Sequence, residues 1–171
     1  MAKTLQEQFI DLVNAKNAGL GLTIDDVDFS DPSPYDGSGE GGNGKNSVLT
    51  LTAKATSPNF KGSQNYYFSR FNLTHPNGED VHSWAVTDLH ESWQDDAYAL
   101  RCFNMNLTNN FPTLSDVVIT RWVDPEDPTH LFVKIKLDSR LLKWWGAFTV
   151  MVVDIGKQQL MFADGQLDGF N

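Results

Sequence analysis

Cysteine is almost missing from this chain: Cys102 is the single one in 171 residues. One thiol excludes an internal disulfide framework and a cysteine-based zinc site. Long apolar runs are missing as well. The longest, Trp144 to Val153, contains Gly146 and Thr149 and falls short of the roughly 18 residues that a membrane helix needs. The opening MAKTLQEQF has no apolar h-region, so no signal peptide is expected. Positive charge is scarce and scattered: nine lysines and four arginines against 22 acids leave a net charge of −9. Such a chain is poorly suited to nucleic acid, whose binding rests on phosphate neutralisation, and to an anionic membrane surface.

What is present points to a folded, turn-rich β protein. Seventeen of the acids are Asp and only five are Glu, beside 13 Asn and 13 Gly. Asp and Asn hydrogen-bond their own backbone and tolerate left-handed conformations, so this is a composition for turns and not for a helical bundle. An aromatic share of 12% supplies a core, and 19.1 kDa suits one domain over residues 1–171.

The pattern predicts an α+β fold, mostly antiparallel β in a sheet or sandwich, with an amino-terminal and a central helix. Thr4 to Glu7 fits a capping box, and Leu5, Phe9, Leu12 and Val13 recur at helical spacing, with Gly19 as the stop. A strand is expected over Leu22–Phe29. Residues 34–46, PYDGSGEGGNGKN, form a glycine-rich loop that lacks the Gly-Lys-Ser/Thr ending of a phosphate cradle and reads as a flexible tip or assembly loop. Ser47–Thr56 alternates as a half-buried strand, with Gln64–Leu73 as its antiparallel partner. Val81–Thr87 reads as a short strand, and a helix should start after Asp95 and Asp96, acids well placed at its positive end. Asp116–Val123 and Leu131–Leu137 are strands about a proline-rich turn. Ser139–Gly146 reads as a helical turn or aromatic loop, and Phe148–Ile155 as a covered central strand with Lys157–Ala163 beside it. Residues 164–171 form a tail.

A shift of 90 residues superposes Asn14 on Asn104, Thr23 on Thr113, Asp26 on Asp116 and Val27 on Val117. One reading is a duplicated helix-strand module, about 5–30 and 95–120. The other is two ordinary helix-to-strand junctions, for which Asn and Asp are natural turn formers.

Candidate chemistry is thin. His75, His82, His90 and His130 lack metal-ligand spacing. Asp25, Asp26, Asp28 and Asp31 miss the calcium-loop pattern, and Asp124, Glu126 and Asp127 sit in a solvated turn. Cys102 beside Phe103 reads as a small buried hydrophobe. No nucleophile–base pair stands out, so no catalytic residue, cofactor or metal is expected.

The run Gly21-Leu22-Thr23-Ile24-Asp25-Asp26-Val27-Asp28-Phe29, followed by Asn46-Ser47-Val48-Leu49-Thr50-Leu51-Thr52-Ala53-Lys54, resembles an uncharacterised family of virion structural proteins from large tailed bacteriophages. Phe60 to Ser63, Tyr66 to Leu73 and Ser115-Asp116-Val117-Val118 continue the resemblance. It implies a non-enzymatic virion component, made in the host cytoplasm, whose partners are other virion proteins and copies of itself. A capsid-decorating or tail and baseplate accessory role suits a small acidic chain.

Five tryptophans, Trp84, Trp93, Trp122, Trp144 and Trp145, keep a second reading open, a carbohydrate-binding module for a cell-surface glycan. Neighbours in sequence are not easily buried in one core, so one of Trp144 and Trp145 is expected to project towards a partner. With Tyr35 in the glycine-rich loop and Phe170 in the tail, they make the candidate interface: Tyr35, Trp144, Trp145 and Phe170.

Overall fold

Thr4 starts the first helix, α1 (Leu5–Lys16), through both bonds of a capping box. The Glu7 amide donates to Thr4 Oγ1 (3.2 Å), and the Thr4 amide donates to Glu7 Oε2 (2.6 Å). Phe9, Ile10 and Val13 are buried, while Leu12 is 70% exposed. At 3.6 residues per turn Leu12 falls beyond the edge of a stripe centred between Phe9 and Ile10. The computed structural model describes residues 3–37, 44–108 and 111–156.

Among the described residues ten strands follow in chain order: β1 (Val27–Phe29), β2 (Ser33–Pro34), β3 (Ser47–Ala53), β4 (Ser63–Phe68) and β5 (Phe71–Asn72) come first. After them come β6 (Trp84–Asp88), β7 (Val117–Val123), β8 (His130–Leu137), β9 (Trp144–Trp145) and β10 (Ala147–Asp154), with the helix α2 (Asp96–Asn104) between β6 and β7. This is the expected α+β fold, dominated by antiparallel pairs.

In the first sheet β3 is central. β4 pairs antiparallel along one edge, and β1 and β2 follow one another along the other. The second sheet runs β6-β10-β8-β7, antiparallel except for β6 on β10. A short parallel pair, β5 with β9, joins the two.

Several elements depart from the sequence pattern for identifiable reasons. Leu22 to Asp26 is not strand: Ile24–Asp26 closes a 3-10 turn on the Asp26 side chain, and β1 begins only at Val27. Ser139–Gly146 takes the loop alternative and not the helical turn, and it ends in β9, whose bonds go to β5 far away in sequence. Lys157–Ala163, expected beside β10, lies outside the described residues, and both edges of β10 are already taken by β8 and β6.

The two sheets are built alike. α1 buries Phe9, Ile10 and Val13; α2 buries Ala99, Leu100 and Phe103, each 90 positions later. Asn14 clasps Leu22, and Asn104 clasps Pro112. Asp26 Oδ2 accepts from the amide and hydroxyl of Thr23 (3.0 and 2.6 Å), as Asp116 Oδ2 does from Thr113 (2.8 and 2.7 Å). Val27 then faces Ala53 across the ladder, and Val117 faces Leu137. From here the offset is 84, because the connection holding the glycine-rich loop is six residues longer than its counterpart. Ala53 N–H donates to Gly62 O and Leu137 N–H to Gly146 O, both at 2.9 Å and both to left-handed glycines (φ +84° and +92°). Each module is therefore a helix, an Asn clasp, a Thr-x-x-Asp turn and a three-stranded antiparallel meander.

Each module has its own core. In the first, Phe9 meets Phe29, Tyr66 and Phe68 edge-on at 5.2–6.2 Å, over Leu49 and Leu51. In the second, Trp93, Val133, Val150 and Val152 continue into Phe103, Ile135 and Trp144. The chain between β5 and β6 straps the outer face of the second sheet, where Lys134 meets Asp80 (2.7 Å) and Lys136 meets Glu79 (3.2 Å).

Candidate functional site at the open edge of the first sheet

β4 is a bare edge strand. Among the described residues no strand pairs with its outer side, whereas β10, its counterpart at the 84-residue offset, is covered there by β6. The shared Ala53–Gly62 and Leu137–Gly146 bonds set the same ladder phase in both sheets. In an antiparallel pair alternate residues bond inwards, so Gln64, Tyr66 and Phe68 face β3. Asn65 and Tyr67 turn their backbone amides and carbonyls outwards, as Thr149 does when its carbonyl accepts from Ser83 N–H (2.9 Å).

Edge strands usually carry a charge or a proline that blocks pairing with another chain. Ser63-Gln64-Asn65-Tyr66-Tyr67-Phe68 carries neither. Its outer face holds a ladder of Thr52 with Ser63 and Thr50 with Asn65 (2.9 and 2.8 Å), then Tyr67, whose ring lies 4.7 Å from that of Tyr35. Tyr35 is half-buried, and its hydroxyl is shut away without a hydrogen-bond partner.

At the end of β4 the chain is pinned by Arg70, which is 4% exposed. Its guanidinium donates to Ser47 Oγ (2.8 Å) and to the carbonyls of Ser139 (2.8 Å) and Leu141 (3.1 Å), and lies 5.6 Å from the Trp145 ring centroid. Asn46 clasps the Arg70 backbone through two 2.8 Å bonds. Burial lowers the Arg70 pKa from its usual value, and neutral oxygens in place of a carboxylate hold the cation. Since Ser47 belongs to the first module and the 139–141 loop to the second, this one side chain ties the edge strand to both.

The sequence candidates divide around this edge. Tyr35 stands over β4. Trp144 is 3% exposed inside the second core and offers no surface to a neighbour. Trp145 points the other way, half-buried against Arg70, with Nε1 buried and unpartnered. Adjacent residues on a strand face opposite sides, which separates the pair. Phe170, the 164–171 tail and residues 38–43 of the glycine-rich loop lie outside the described residues. Arg70 and the edge itself escaped the sequence reading. The detectable signals were an arginine breaking an aromatic strand and a six-residue run without charge.

Other clusters are structural. Asp88 accepts from Tyr98 Oη (2.6 Å), Trp93 Nε1 (2.9 Å) and Leu89 N–H (2.8 Å), fixing the end of β6 to α2. The hydrogen bond to Asp88 pushes the Tyr98 phenol up to about 12 and pulls the Asp88 carboxyl down. A cleft of about 420 Å³ opens between the modules, lined in part by Asp31, Asp116, Asp138 and Arg140. The one cation lining it among the described residues is already paired, Arg140 with Asp138 at 2.5 Å, which holds the Asp138 carboxyl at about 2. Asp124 and Asp127 accept from the amides of their own turn. His90 bonds the Val152 carbonyl (2.9 Å), and Cys102 is half-buried on α2. Among the described residues, no three His, Cys, Asp or Glu side chains gather where they could hold a metal ion, and no helix is long and apolar enough to cross a membrane.

The comparison with protein families meets this architecture along its length. The chain belongs to the family of unknown function DUF7941. The match covers residues 1–170, so it takes in both modules, the open edge and the segment after β10. No curated protein and no solved structure matches the chain.

Proposed function

We propose that this protein is a non-enzymatic structural component of a tailed-phage virion, a capsid-decorating or tail and baseplate accessory protein that acts through contacts with other virion proteins and with copies of itself. The observation that carries the assembly reading is the edge of β4, a row of backbone donors and acceptors that no strand among the described residues pairs with, and with no charge to protect it. Such an edge is a template for strand addition, in which main-chain bonds give affinity and alternate side chains give specificity. The virion assignment is supported by the resemblance of residues 21–29 and 46–54, the segments that include β1 and β3.

A glycan-binding module is the second reading, favoured by Trp122 and Phe132 on the outer face of the second sheet. Those rings stack on each other (5.3 Å, 12°) with Lys134 Nζ 5.9 Å from the Trp122 centroid, so much of their aromatic surface is already used. Mass spectrometry and immunogold labelling of gradient-purified particles test the first reading. A fixed ratio to the major capsid protein and labelling at one place on the particle are expected. Absence from particles, when the protein is abundant in the lysate, overturns it. Saturable quenching of Trp122 fluorescence by a sugar would favour the second reading.

A further inference from the structure

We infer that residues 74–83, between β5 and β6, act as an ion-latched strap, which lifts from the second sheet as one unit when salt screens its acids, while both cores stay folded. The inference rests on contacts within one chain and stands apart from the assembly reading.

The strap runs between two fixed ends. Before it, Leu73 packs on the second core, and its N–H donates to the Trp145 carbonyl (3.0 Å). After it, β6 is paired along its length with β10, and Val86 packs on the same core. Every residue from Thr74 to Ser83 keeps part of its surface in solvent. Among the described residues its one ring contact is His82 against Phe132, tilted at 5.9 Å. A segment that buries so little apolar surface opens at a cost well below that of global unfolding.

What holds the strap down is polar, and much of it is charge. Glu79 lies between two lysines of β8: its carboxylate is 3.2 Å from Lys136 Nζ and 3.9 Å from Lys134 Nζ. Lys134 also meets Asp80 at 2.7 Å. The Glu79 carbonyl accepts from the hydroxyl of Thr149, which is 1% exposed. At the two ends, Thr74 Oγ1 accepts from Ala147 N–H (3.0 Å), and Ser83 N–H donates to the Thr149 carbonyl (2.9 Å). Within the strap, Gly78 N–H donates to the His75 carbonyl (2.9 Å) and Val81 N–H to the Gly78 carbonyl (3.4 Å). Its middle is therefore a folded turn that moves as a body.

Exposed ion pairs are weak one by one and are screened by salt. Three of them on one short segment, with little apolar burial beside them, make its closure depend on ionic strength. Opening bares Thr149 and leaves Lys134 and Lys136 without their acids. A face neutralised under the strap thus turns cationic in a chain of net charge −9.

The test is native-state hydrogen exchange by NMR on the full chain at about 0.1 M and about 1 M NaCl, between which the screening length falls from about 10 to about 3 Å. The amides of Ala147 and Ser83 report the two ends of the strap. Those of Val133 and Val150, opposite each other in the β8–β10 ladder, report the core. Ala147 and Ser83 should share one opening constant, far larger than that of the core pair. Salt should raise it roughly tenfold, the sum of three weak ion pairs, and leave Val133 and Val150 unchanged. Glu79→Gln combined with Asp80→Asn should open the strap at low salt and abolish the salt step. Thr149→Val removes a latch without charge, so it should speed exchange at both ends and keep the salt step. Exchange of Ala147 and Ser83 at the core rate overturns the inference, because the strap then has no opening of its own. So do unequal openings at the two ends, which mean separate fraying, and a salt step that survives in the double variant.

Discussion

Asn104 donates from Nδ2 to the Pro112 carbonyl at 3.0 Å, and its own Oδ1 lies buried without a partner. At the counterpart junction Asn14 makes both bonds to Leu22, donating to O (2.7 Å) and accepting from N–H (2.8 Å). Proline has no amide hydrogen to return, so one substitution in an otherwise repeated clasp leaves an acceptor stranded. The two modules thus carry the same device at different strengths, and the difference can be measured.

Asn14→Ala is expected to cost about 2 kcal/mol, two hydrogen bonds at roughly 1 kcal/mol each. Asn104→Ala should cost about 1 kcal/mol or less, because it deletes an unsatisfied acceptor along with one bond. Urea unfolding of the two variants gives the comparison, and the reverse order would contradict the clasp argument.

Arg70 spans three oxygens on two modules, which a lysine ammonium on a flexible stem does not reproduce. Arg70→Lys should cost about 2 kcal/mol and Arg70→Ala about 3 kcal/mol, since the Ser139 and Leu141 carbonyls lose their donor. Trp145, stacked under the guanidinium, should report the loss as a change in fluorescence. A lysine variant as stable as the parent would show that the charge alone holds this junction.

Gly62 and Gly146 occupy the same place before the third strand of each meander, yet they should differ sharply on substitution. A Cβ on Gly62 meets open space, so Gly62→Ala should cost only the left-handed backbone penalty of about 1–2 kcal/mol. On Gly146 it would collide with Thr74 Oγ1 and come within 2.6 Å of Asn72 Oδ1. Gly146→Ala should therefore be worse by about 1–3 kcal/mol, the usual cost of overpacking. Parallel melting curves of the two variants decide it.

Stability should fall at both ends of the pH range for separate reasons. Tyr98, raised from 10.0 to about 12, stabilises the fold fully below pH 10, and that contribution is lost as pH rises towards 12. Asp138, lowered from 3.8 to about 2 by its bonds from Arg140, stabilises above pH 3.8 and is lost between about 3.8 and 2. Tyr98→Phe should flatten the alkaline limb of a pH–stability curve and also soften the acid limb, because Asp88 loses the hydrogen bond that lowers its carboxyl, whereas Asp138→Asn should flatten the acid limb alone. An Asp138→Asn protein that changes the alkaline limb, or a Tyr98→Phe protein that leaves it unchanged, would refute the assignment.

Much of this architecture was legible in the sequence where the determining contacts are local. The Thr4–Glu7 box and the Thr-x-x-Asp turns close within three residues, so their chemistry is readable from spacing. The alternation of Leu131, Val133, Ile135 and Leu137 marks the buried face of β8, and all four are buried. A fixed shift of 90 residues finds the helices and turns of both modules and then loses the meanders, because the longer glycine-rich connection changes the offset to 84. The candidate site was legible only in part. Tyr35 and Trp145 were picked out as aromatics, but the edge of β4 is marked by the lack of a paired strand among the described residues, a property that no residue type announces.

Local spacing and hydrophobic period by themselves determined the helices, the turns, the β3–β4 and β7–β8 hairpins and the α+β class, since each rests on contacts within a few residues or one short connection. Only the tertiary structure decided the parallel pairs β5–β9 and β6–β10, the division of Trp144 into the core and Trp145 against Arg70, and which edge stays open among the described residues. Those outcomes depend on backbone groups about 60 residues or more apart meeting in space. The same strand of apolar and polar residues serves equally well beside any edge of matching phase, so its partner is settled only when the whole chain has packed.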